Sequence, residues 1–138
     1  MLHSPVLLEE SIDFLITNPS GKYIDATFGR GGHSRKILDS ISKDGTLLAI
    51  DKDIEAIRFG KENFKDKNFL IKHAGFEDLD SINQAKQADG ILFDFGLCST
   101  HYDDASRGFS FSEAGPLDMR IDLRQSKKLE DLIQTCLL

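Results

Sequence analysis

Hydrophobic residues along the first 95 positions recur in two alternating patterns, one typical of helices and one of buried strands. Leu8, Ile12 and Leu15 share one face of a predicted helix, with Ser4-Pro5 as its N-cap and first helical residue. Four apolar runs predict strands at 22–27, 46–50, 68–72 and 90–94. Further helices are predicted at 34–41, from an Asp53 cap through Phe64, and at 79–88.

The alternation of strands and helices predicts a mostly parallel sheet built from βαβ units with right-handed crossovers. We expect strand one to lie beside strand four, and ligands to bind beyond the carboxyl ends of the strands. The alternation stops after Gly96, and residues 97–120, rich in Ser, Gly and Asp, are predicted to form a long loop. The sequence therefore divides into a sheet-forming portion, 1–96, and a loop portion, 97–138.

Composition fits a soluble globular protein of one domain, since 40% of the 138 residues are hydrophobic and 29% are charged. No apolar run approaches the ~20 residues that span a membrane, and the first residues lack the features of a secretory signal. The two cysteines, Cys98 and Cys136, form no CxxC pair, which favours reduced thiols in a cytoplasmic protein.

The net charge of −6 argues against a nucleic-acid partner, because phosphate binding usually shows as an excess of Lys and Arg. Residues 105–128 depart from this balance, with five basic side chains against three acidic ones. The basic residues are Arg107, Arg120, Arg124, Lys127 and Lys128. Taken alone, this segment fits a solvated face better than an RNA site.

A glycine-rich turn at 29–32 follows the first predicted strand. Its glycines allow a tight turn and close approach of a ligand to the backbone. The next helix offers free N–H groups and a positive dipole end, which suit a carboxylate or a phosphate. A plain turn without a ligand is the alternative, because a single Gly-rich match is a weak signal.

Acidic and aromatic residues follow the other predicted strands. Asp51 ends strand two, where an acid commonly accepts hydrogen bonds from ribose hydroxyls, although it could also cap a helix. Phe76 follows strand three and Asp94 closes strand four, so the two could hold an adenine from two sides. Core packing is the alternative for Phe76, and simple exposure to solvent is the alternative for Asp94. The pattern favours an adenosine-containing cofactor but does not separate NAD from S-adenosylmethionine.

Metal and hydrolase chemistry find no support in the sequence. Its four histidines form no HExxH motif or cysteine pairing, so no metal site is expected. No Gly-x-Ser-x-Gly motif or Ser/His/Asp pattern is present either.

Six stretches between residues 3 and 122 match one known family in order and spacing. They are 3–10, 23–34, 48–53, 94–99, 107–111 and 115–122. On these motifs the chain resembles the bacterial ribosomal RNA small-subunit methyltransferase H family, also called MraW. The resemblance implies a class I S-adenosylmethionine-dependent methyltransferase (Rossmann-like) α/β fold. It also implies methylation of the N4 amino group of a cytidine in the decoding region of 16S ribosomal RNA, in the small ribosomal subunit.

By motif position, the resemblance assigns seven contacts to the cofactor S-adenosylmethionine. They are Gly31, Gly32, His33, Asp51, Phe76, Asp94 and His101. The family usually has glutamine at the position of His101, and Val-Ser-Ser-Pro where this chain has Leu-Cys-Ser-Thr at 97–100. Because of these departures from the family pattern, the resemblance is a weaker guide to the His101 contact and to the shape of the loop.

Methyl transfer to an amine calls for a group that binds, and later removes, an N–H proton. The candidates for this catalytic role are Asp94, Ser99 and Asp118, in that order. Tyr102, Phe109 and Phe111 could stack on the target base, whereas packing against the sheet is the alternative for the two phenylalanines.

Two other functions stay open at this point, a nucleotide (NAD)-binding oxidoreductase domain and a non-catalytic remnant. Family members are considerably longer than 138 residues, so we expect a fold truncated after about strand four. In such a fragment or frame-shifted product, strand four would form an open apolar edge. We expect this fragment to transfer methyl groups poorly even where it binds the cofactor.

Overall fold

The computed structural model describes residues 7–136 of the chain. It forms two compact units, Met1–Phe95 and Gly96–Leu138, which are described separately below as the first and second units. The helix start predicted at Ser4-Pro5 lies outside the described residues.

The first unit alternates helices and strands, as the hydrophobic pattern predicts. Its elements are α1 (Leu8–Leu15), β1 (Lys22–Asp25), α2 (Gly32–Ser40), β2 (Thr46–Asp51), α3 (Ile54–Asn63), β3 (Phe69–His73) and β4 (Gly90–Leu92). All four strands are parallel, in the order β3-β2-β1-β4, so the predicted pairing of strands one and four is confirmed. Their carboxyl ends meet at one side of the sheet, which we call the carboxyl edge.

Residues of each strand alternate between two faces of the sheet. On one face, α1, α2 and α3 bury an apolar core that includes Ile12, Ile37 and Ile57. On the other face, Ile24, Leu48 and Ile50 are covered by the segment between β3 and β4. Within the described residues β4 pairs with β1 alone, and Ile91 stays 43% exposed.

The helix predicted at 79–88 is wrong. The chain instead forms two 3₁₀ turns, Phe76–Ser81 and Asn83–Ala85. Polar side chains bond the local backbone there: the Asp78 carboxylate accepts from the Gly75 N–H at 3.0 Å, and the Ser81 hydroxyl donates to the Asp78 carbonyl at 2.7 Å. Such bonds compete with an α-helix. The residues that pack on the sheet are three apart, as a 3₁₀ turn requires: Leu79, Ile82, Ala85 and Ala88.

Other boundaries differ by one or two residues from the sequence prediction. Strand β1 ends at Asp25 rather than at 27, because the Asp25 carboxylate accepts the Thr27 N–H at 3.1 Å and turns the chain. The predicted cap of α3 is confirmed, since Asp53 accepts from the Glu55 N–H at 3.0 Å.

The second unit contains α4 (Ser99–Asp103), a 3₁₀ turn (Ala105–Arg107) and α5 (Leu129–Cys136). The prediction of a continuous loop over 97–120 is therefore wrong for its first part. Asp104 accepts from the Ser106 N–H at 3.0 Å and so starts the 3₁₀ turn, and Gly108 ends it with φ 78°. Among the helices of residues 7–136, none is both long and apolar enough to cross a membrane.

Candidate active site

The glycine-rich turn lies at the carboxyl edge, between β1 and α2. Gly29 and Gly31 both have positive φ, 56° and 76°, a region that favours glycine. The turn is attached to β2 twice: the Phe28 N–H donates to the Ile50 carbonyl at 3.1 Å, and the Gly29 N–H donates to Asp51 Oδ2 at 2.7 Å. The turn is therefore held in place by the neighbouring strand.

Gly31 is required by packing as well as by conformation. A Cβ atom at this position would lie 2.5 Å from Cζ of Phe64 and 2.8 Å from Cζ of Phe28. These two rings pack edge to face, with centroids 5.2 Å apart. Gly31 therefore has a structural role, and its predicted contact with a cofactor stays a prediction.

Helix α2 begins with Gly32 and His33, two of the predicted cofactor contacts. Helical geometry leaves the N–H groups of its first turn without partners inside the helix. These groups and the helix dipole favour a negative group beyond the helix start. The first turn of α2 carries no acidic side chain to occupy that position.

Asp51 holds the backbone with both carboxylate oxygens. Oδ2 accepts from the Gly29 N–H at 2.7 Å, and Oδ1 accepts from the Asp53 N–H at 2.8 Å. Each oxygen retains a second acceptor position, so hydroxyl groups of a ligand can still bind. Asp51 thus links the glycine-rich turn to α3, a role that its position in the sequence did not indicate.

Asp94 lies on the other side of the turn, after β4. Its N–H donates to the Thr27 hydroxyl at 2.7 Å, which fixes the backbone of Asp94 beside the end of β1. Its Oδ2 lies 3.7 Å from Nδ1 of His33, whose side chain is only 7% exposed, against 52% for Asp94. The carboxylate is therefore accessible, but its rotation is limited by a buried ring.

Sequence reasoning missed Asp25 as a residue of this region. Asp25 is 1% exposed at the end of β1, and its Oδ2 accepts the Ser34 hydroxyl at 2.6 Å. Burial raises the pKa of the Asp25 carboxyl, while the Ser34 hydroxyl and the Thr27 N–H oppose that shift. The signal was available, because Asp25, like Asp51 and Asp94, is an acid at or just beyond the end of an apolar strand.

Phe76 belongs to an exposed aromatic cluster rather than to the core. It is 46% exposed and lies edge to face with Phe93 and Phe95, with centroids 5.9 Å away in both cases. The Lys52 ammonium lies 5.1 Å from the centre of the Phe76 ring. Core packing, the alternative for Phe76, is thus wrong, and three exposed rings remain near the ends of β3 and β4.

The second unit holds the other predicted residues, Ser99 and His101. Ser99 is the first residue of α4, and His101 is 5% exposed. Nδ1 of His101 accepts from the Cys98 N–H at 3.2 Å, and its ring packs on Phe109 with centroids 5.5 Å apart. His101 therefore stabilises the start of α4, and its predicted cofactor contact stays a prediction.

Two arginines of the second unit are each bound to an aspartate two residues before them. Arg120 donates to both oxygens of Asp118, at 2.7 and 2.9 Å, and Arg124 does the same with Asp122. The Arg120 guanidinium lowers the pKa of the Asp118 carboxyl to about 2. A carboxylate of such low pKa is a weak proton acceptor, which favours Asp94 over Asp118 for that role.

Comparisons with known proteins agree with this architecture. A family model described as the MraW methylase family matches residues 1–137. The chain is 49% identical over 135 residues to "Ribosomal RNA small subunit methyltransferase H" of Caldicellulosiruptor bescii, covering 95% of this chain and 44% of that protein. It is 52% identical over 124 residues to the protein of that name from Hydrogenovibrio crunogenus, covering 87% and 40%. The chain thus spans less than half the length of these curated relatives.

A solved structure supports the fold alone. NSun6 from Pyrococcus horikoshii with SFG superposes with a TM-score of 0.58 at 24% identity, covering 67% of this chain and 24% of that one. The family match leaves the oxidoreductase alternative without support, and it confirms the resemblance drawn from the motifs. The chain belongs to the MraW methylase family.

Proposed function

We propose that this chain binds S-adenosylmethionine at the carboxyl edge of its sheet and serves methyl transfer to the N4 amino group of a cytidine in 16S ribosomal RNA. The observation that carries the proposal is the attachment of the glycine-rich turn to Asp51 at the end of β2, with Asp94 just after β4, on the other side of β1. The carboxyl edge therefore holds a site for a negative group at the start of α2, an acceptor for hydroxyl groups at Asp51 and an accessible carboxylate at Asp94.

The described residues fit the proposed cofactor. The N–H groups of Gly32 and His33 at the start of α2 suit its amino-acid carboxylate, and the remaining acceptor positions of Asp51 suit the ribose hydroxyls. Phe76 offers an exposed ring for the adenine. When bound, S-adenosylmethionine supplies a methyl group on a positively charged sulfur.

Asp94 is the proposed proton acceptor. The lone pair of a cytosine amino group is delocalised into the ring, and a carboxylate that accepts one of its N–H protons makes that lone pair more available. Asp94 is the accessible acid of the edge, and the Thr27 and His33 contacts fix its position. Because the amino nitrogen must attack the methyl group in line, the fixed position of Asp94 contributes to the reaction rate by orienting that nitrogen. Ser99 remains the second candidate.

The proposed partner is 16S ribosomal RNA within the small ribosomal subunit, which places the protein in the cytoplasm. "Ribosomal RNA small subunit methyltransferase H" is the name of the relatives, and it supports this partner by similarity. Within the second unit, Tyr102 is 48% exposed and Phe111 is fully exposed, so both rings are available for stacking on a base. Phe109 is buried, which excludes it from that role.

Calorimetry tests the cofactor. The purified chain is expected to bind S-adenosylhomocysteine and not NAD. Preference for NAD would contradict the proposal.

Transfer of a labelled methyl group to small ribosomal subunits that lack the modification tests the reaction. Incorporation at one cytidine N4 is expected to be slow in this chain and to require the carboxylate of Asp94, so Asp94→Asn should lower the rate by a further factor of about 10² or more. Cofactor binding without any transfer would identify this chain as non-catalytic.

A further inference from the structure

A groove of about 290 Å³ lies at the amino ends of β1, β2 and β3, at the opposite end of the strands from the carboxyl edge. It occupies the part of the sheet face that the segment between β3 and β4 leaves open. Leu48 and Leu70 supply its apolar floor; Leu48 is buried, whereas Leu70 is 38% exposed. None of the site residues predicted from the sequence borders this groove, so neither the motifs nor the resemblance assigns it a role.

Two lysines of neighbouring strand ends line the groove. Lys22 is the first residue of β1, and Lys67 lies two residues before β3. The strand order places β2 between β1 and β3, and Lys22 pairs in register with Thr46 of β2. Because two strand spacings amount to about 10 Å, both ammonium groups can reach one small ligand in the groove.

The charge of these lysines is not neutralised locally. Among the described residues, no ion pair of the first unit includes either ammonium group. Asp66, which precedes Lys67, has its two oxygens bound by the Arg35 guanidinium at 3.1 and 2.8 Å. Asp89 accepts the backbone N–H of Lys22 at 2.8 Å. No acidic side chain is among the described residues that line the groove, so its lining is positive in a chain of net charge −6.

Amide side chains add donors and acceptors to the lining. Asn68 donates to the Gly45 carbonyl at 2.9 Å and keeps its own side-chain oxygen as an acceptor. Gln84 accepts from the Lys72 ammonium at 2.9 Å and keeps its two N–H donors. The edge of a nucleobase presents donors and acceptors that such amides recognise, and its flat faces suit an apolar floor.

We propose that this groove binds one nucleotide of single-stranded RNA. The base lies on Leu48 and Leu70, and the phosphates on either side of the nucleoside bind Lys22 and Lys67. The volume is close to the lower end of the range for small-ligand sites, about 300 Å³, which suits one nucleotide better than a duplex. The inference goes beyond the proposed methyl transfer, and it rests on the proposed function only for the identity of the RNA as ribosomal.

Charge complementarity favours RNA over the competing occupant, a helix of a second copy of this chain or of another protein. A packing helix presents an apolar stripe, which would leave two ammonium groups and several amide groups without partners. A positive groove with a surface for the base is the usual arrangement for single-stranded nucleic acid. In the second unit, by contrast, Arg120 and Arg124 are held in ion pairs.

The experiment is a titration of the isotope-labelled 138-residue chain with a short oligouridylate. Nuclear magnetic resonance would follow the Leu70 methyl groups and the Lys22 and Lys67 amides, so that binding at the groove is separated from binding elsewhere. All these signals are expected to shift. Inorganic tripolyphosphate, which carries charge without a base, should shift the lysine signals and leave the Leu70 methyl groups unchanged.

Salt dependence and substitutions count the phosphate contacts. Each contact to single-stranded RNA contributes about −0.7 to the slope of log affinity against log salt concentration. Lys22→Gln and Lys67→Gln should therefore each reduce the steepness by about 0.7 and weaken binding at the groove about five-fold. The matched control is Lys61→Gln, which removes the same charge from an exposed lysine of α3 outside the groove and should change neither value.

Four outcomes would overturn the inference. They are groove signals that do not respond to the oligouridylate, a Leu70 response to tripolyphosphate equal to that to RNA, equal effects of the Lys61 and Lys22 substitutions, and Leu70 shifts that follow the chain concentration without RNA. The last outcome would assign the groove to a second copy of this chain. Binding of S-adenosylhomocysteine, measured on the same samples, tests the proposed function separately: its loss would contradict that function and leave the groove result standing.

Discussion

The two units use acidic residues in different ways. In the first unit, Asp25 and Asp51 accept N–H groups of the backbone around the glycine-rich turn. In the second unit, Asp118 and Asp122 are each bound by the arginine two residues further on. The first arrangement shapes a site, whereas the second neutralises charge locally. Counting the basic side chains of 105–128 therefore overstates the charge that is available to a polyanion.

Burial separates the two units as well. Of the buried hydrophobic residues among those described, Phe109 alone lies in the second unit. Several large apolar side chains of that unit are exposed, including Leu117, Leu123 and Leu132. The first unit is thus stabilised by its own core, and the second by short-range polar bonds. The chain has one tyrosine in each unit, Tyr23 and Tyr102, so their ring signals report on the units separately.

The largest effect is expected at Gly31. Gly31→Ala combines a left-handed backbone with a Cβ at 2.5 Å from the Phe64 ring, so it should reduce the free energy of unfolding by about 4 kcal/mol. Gly29→Ala is the matched control, because it has φ 56° but only one atom near the added Cβ, at 4.0 Å. Its cost should be about 1 kcal/mol. Equal values from urea unfolding would show that packing against Phe64 contributes nothing.

Phe109 tests whether the second unit depends on a single buried side chain. Phe109→Ala should destabilise that unit by about 3 kcal/mol, whereas Phe111→Ala, at a fully exposed position, should change stability by less than about 0.5 kcal/mol. Hydrogen exchange around Tyr102 measures the effect, with exchange around Tyr23 as the internal reference. Similar exchange in the two variants would remove the distinction drawn between the units.

Asp51 should matter for ligand binding and for the turn. Asp51→Ala is expected to weaken S-adenosylhomocysteine binding by about 1.5–3 kcal/mol, the range for hydrogen bonds to a charged group. Calorimetry measures the loss. The exposed Asp44, in the turn before β2, provides the control variant Asp44→Ala. Unchanged affinity in Asp51→Ala would leave Asp51 with its structural role alone.

Asp25 predicts a pH dependence of the first unit. In the unfolded chain the Asp25 carboxyl has its ordinary pKa of 3.8, and burial raises this pKa in the folded protein. At a pH between the unfolded and the folded pKa, the folded protein therefore holds a proton that the unfolded chain has lost. Stability therefore falls as pH rises through this interval, and Asp25→Asn should remove that part of the decrease. Thermal unfolding across a pH series, with Asp44→Asn as control, measures it. A parallel pH dependence in wild type and Asp25→Asn would contradict the burial effect.

The smallest effect is expected from Asp118. Its folded-state pKa of about 2 lies below the ordinary 3.8, so its ion pair stabilises the second unit above that ordinary value. The stabilisation is lost as pH falls from about 3.8 through 2, and Asp118→Asn should lack this acid transition. The Tyr102 signal reports it. An unchanged acid transition in the variant would show that solvent screens the pair completely.

The sequence by itself determined the layout of the first unit. Apolar periodicity located its four strands and the helices α1, α2 and α3, and turn chemistry located Gly29, Gly31 and the Asp53 cap. These signals are local: they depend on the conformational preferences of neighbouring residues and on burial of every second or every third to fourth side chain. The motifs also identified the family without any knowledge of the fold.

Only the tertiary structure decided which groups meet. The bonds from Gly29 to Asp51 and from Asp94 to Thr27 join residues 22 and 67 positions apart. Ser11, His33 and Asp94 line one cavity because α1, α2 and β4 pack together. Segment 79–88 is an example in which sequence prediction failed. The spacing of its apolar residues predicted a helix, but side-chain bonds to the local backbone, seen only in the structure, favour 3₁₀ turns. Such contacts depend on how the sheet and helices assemble, and no local preference encodes a distance across strands.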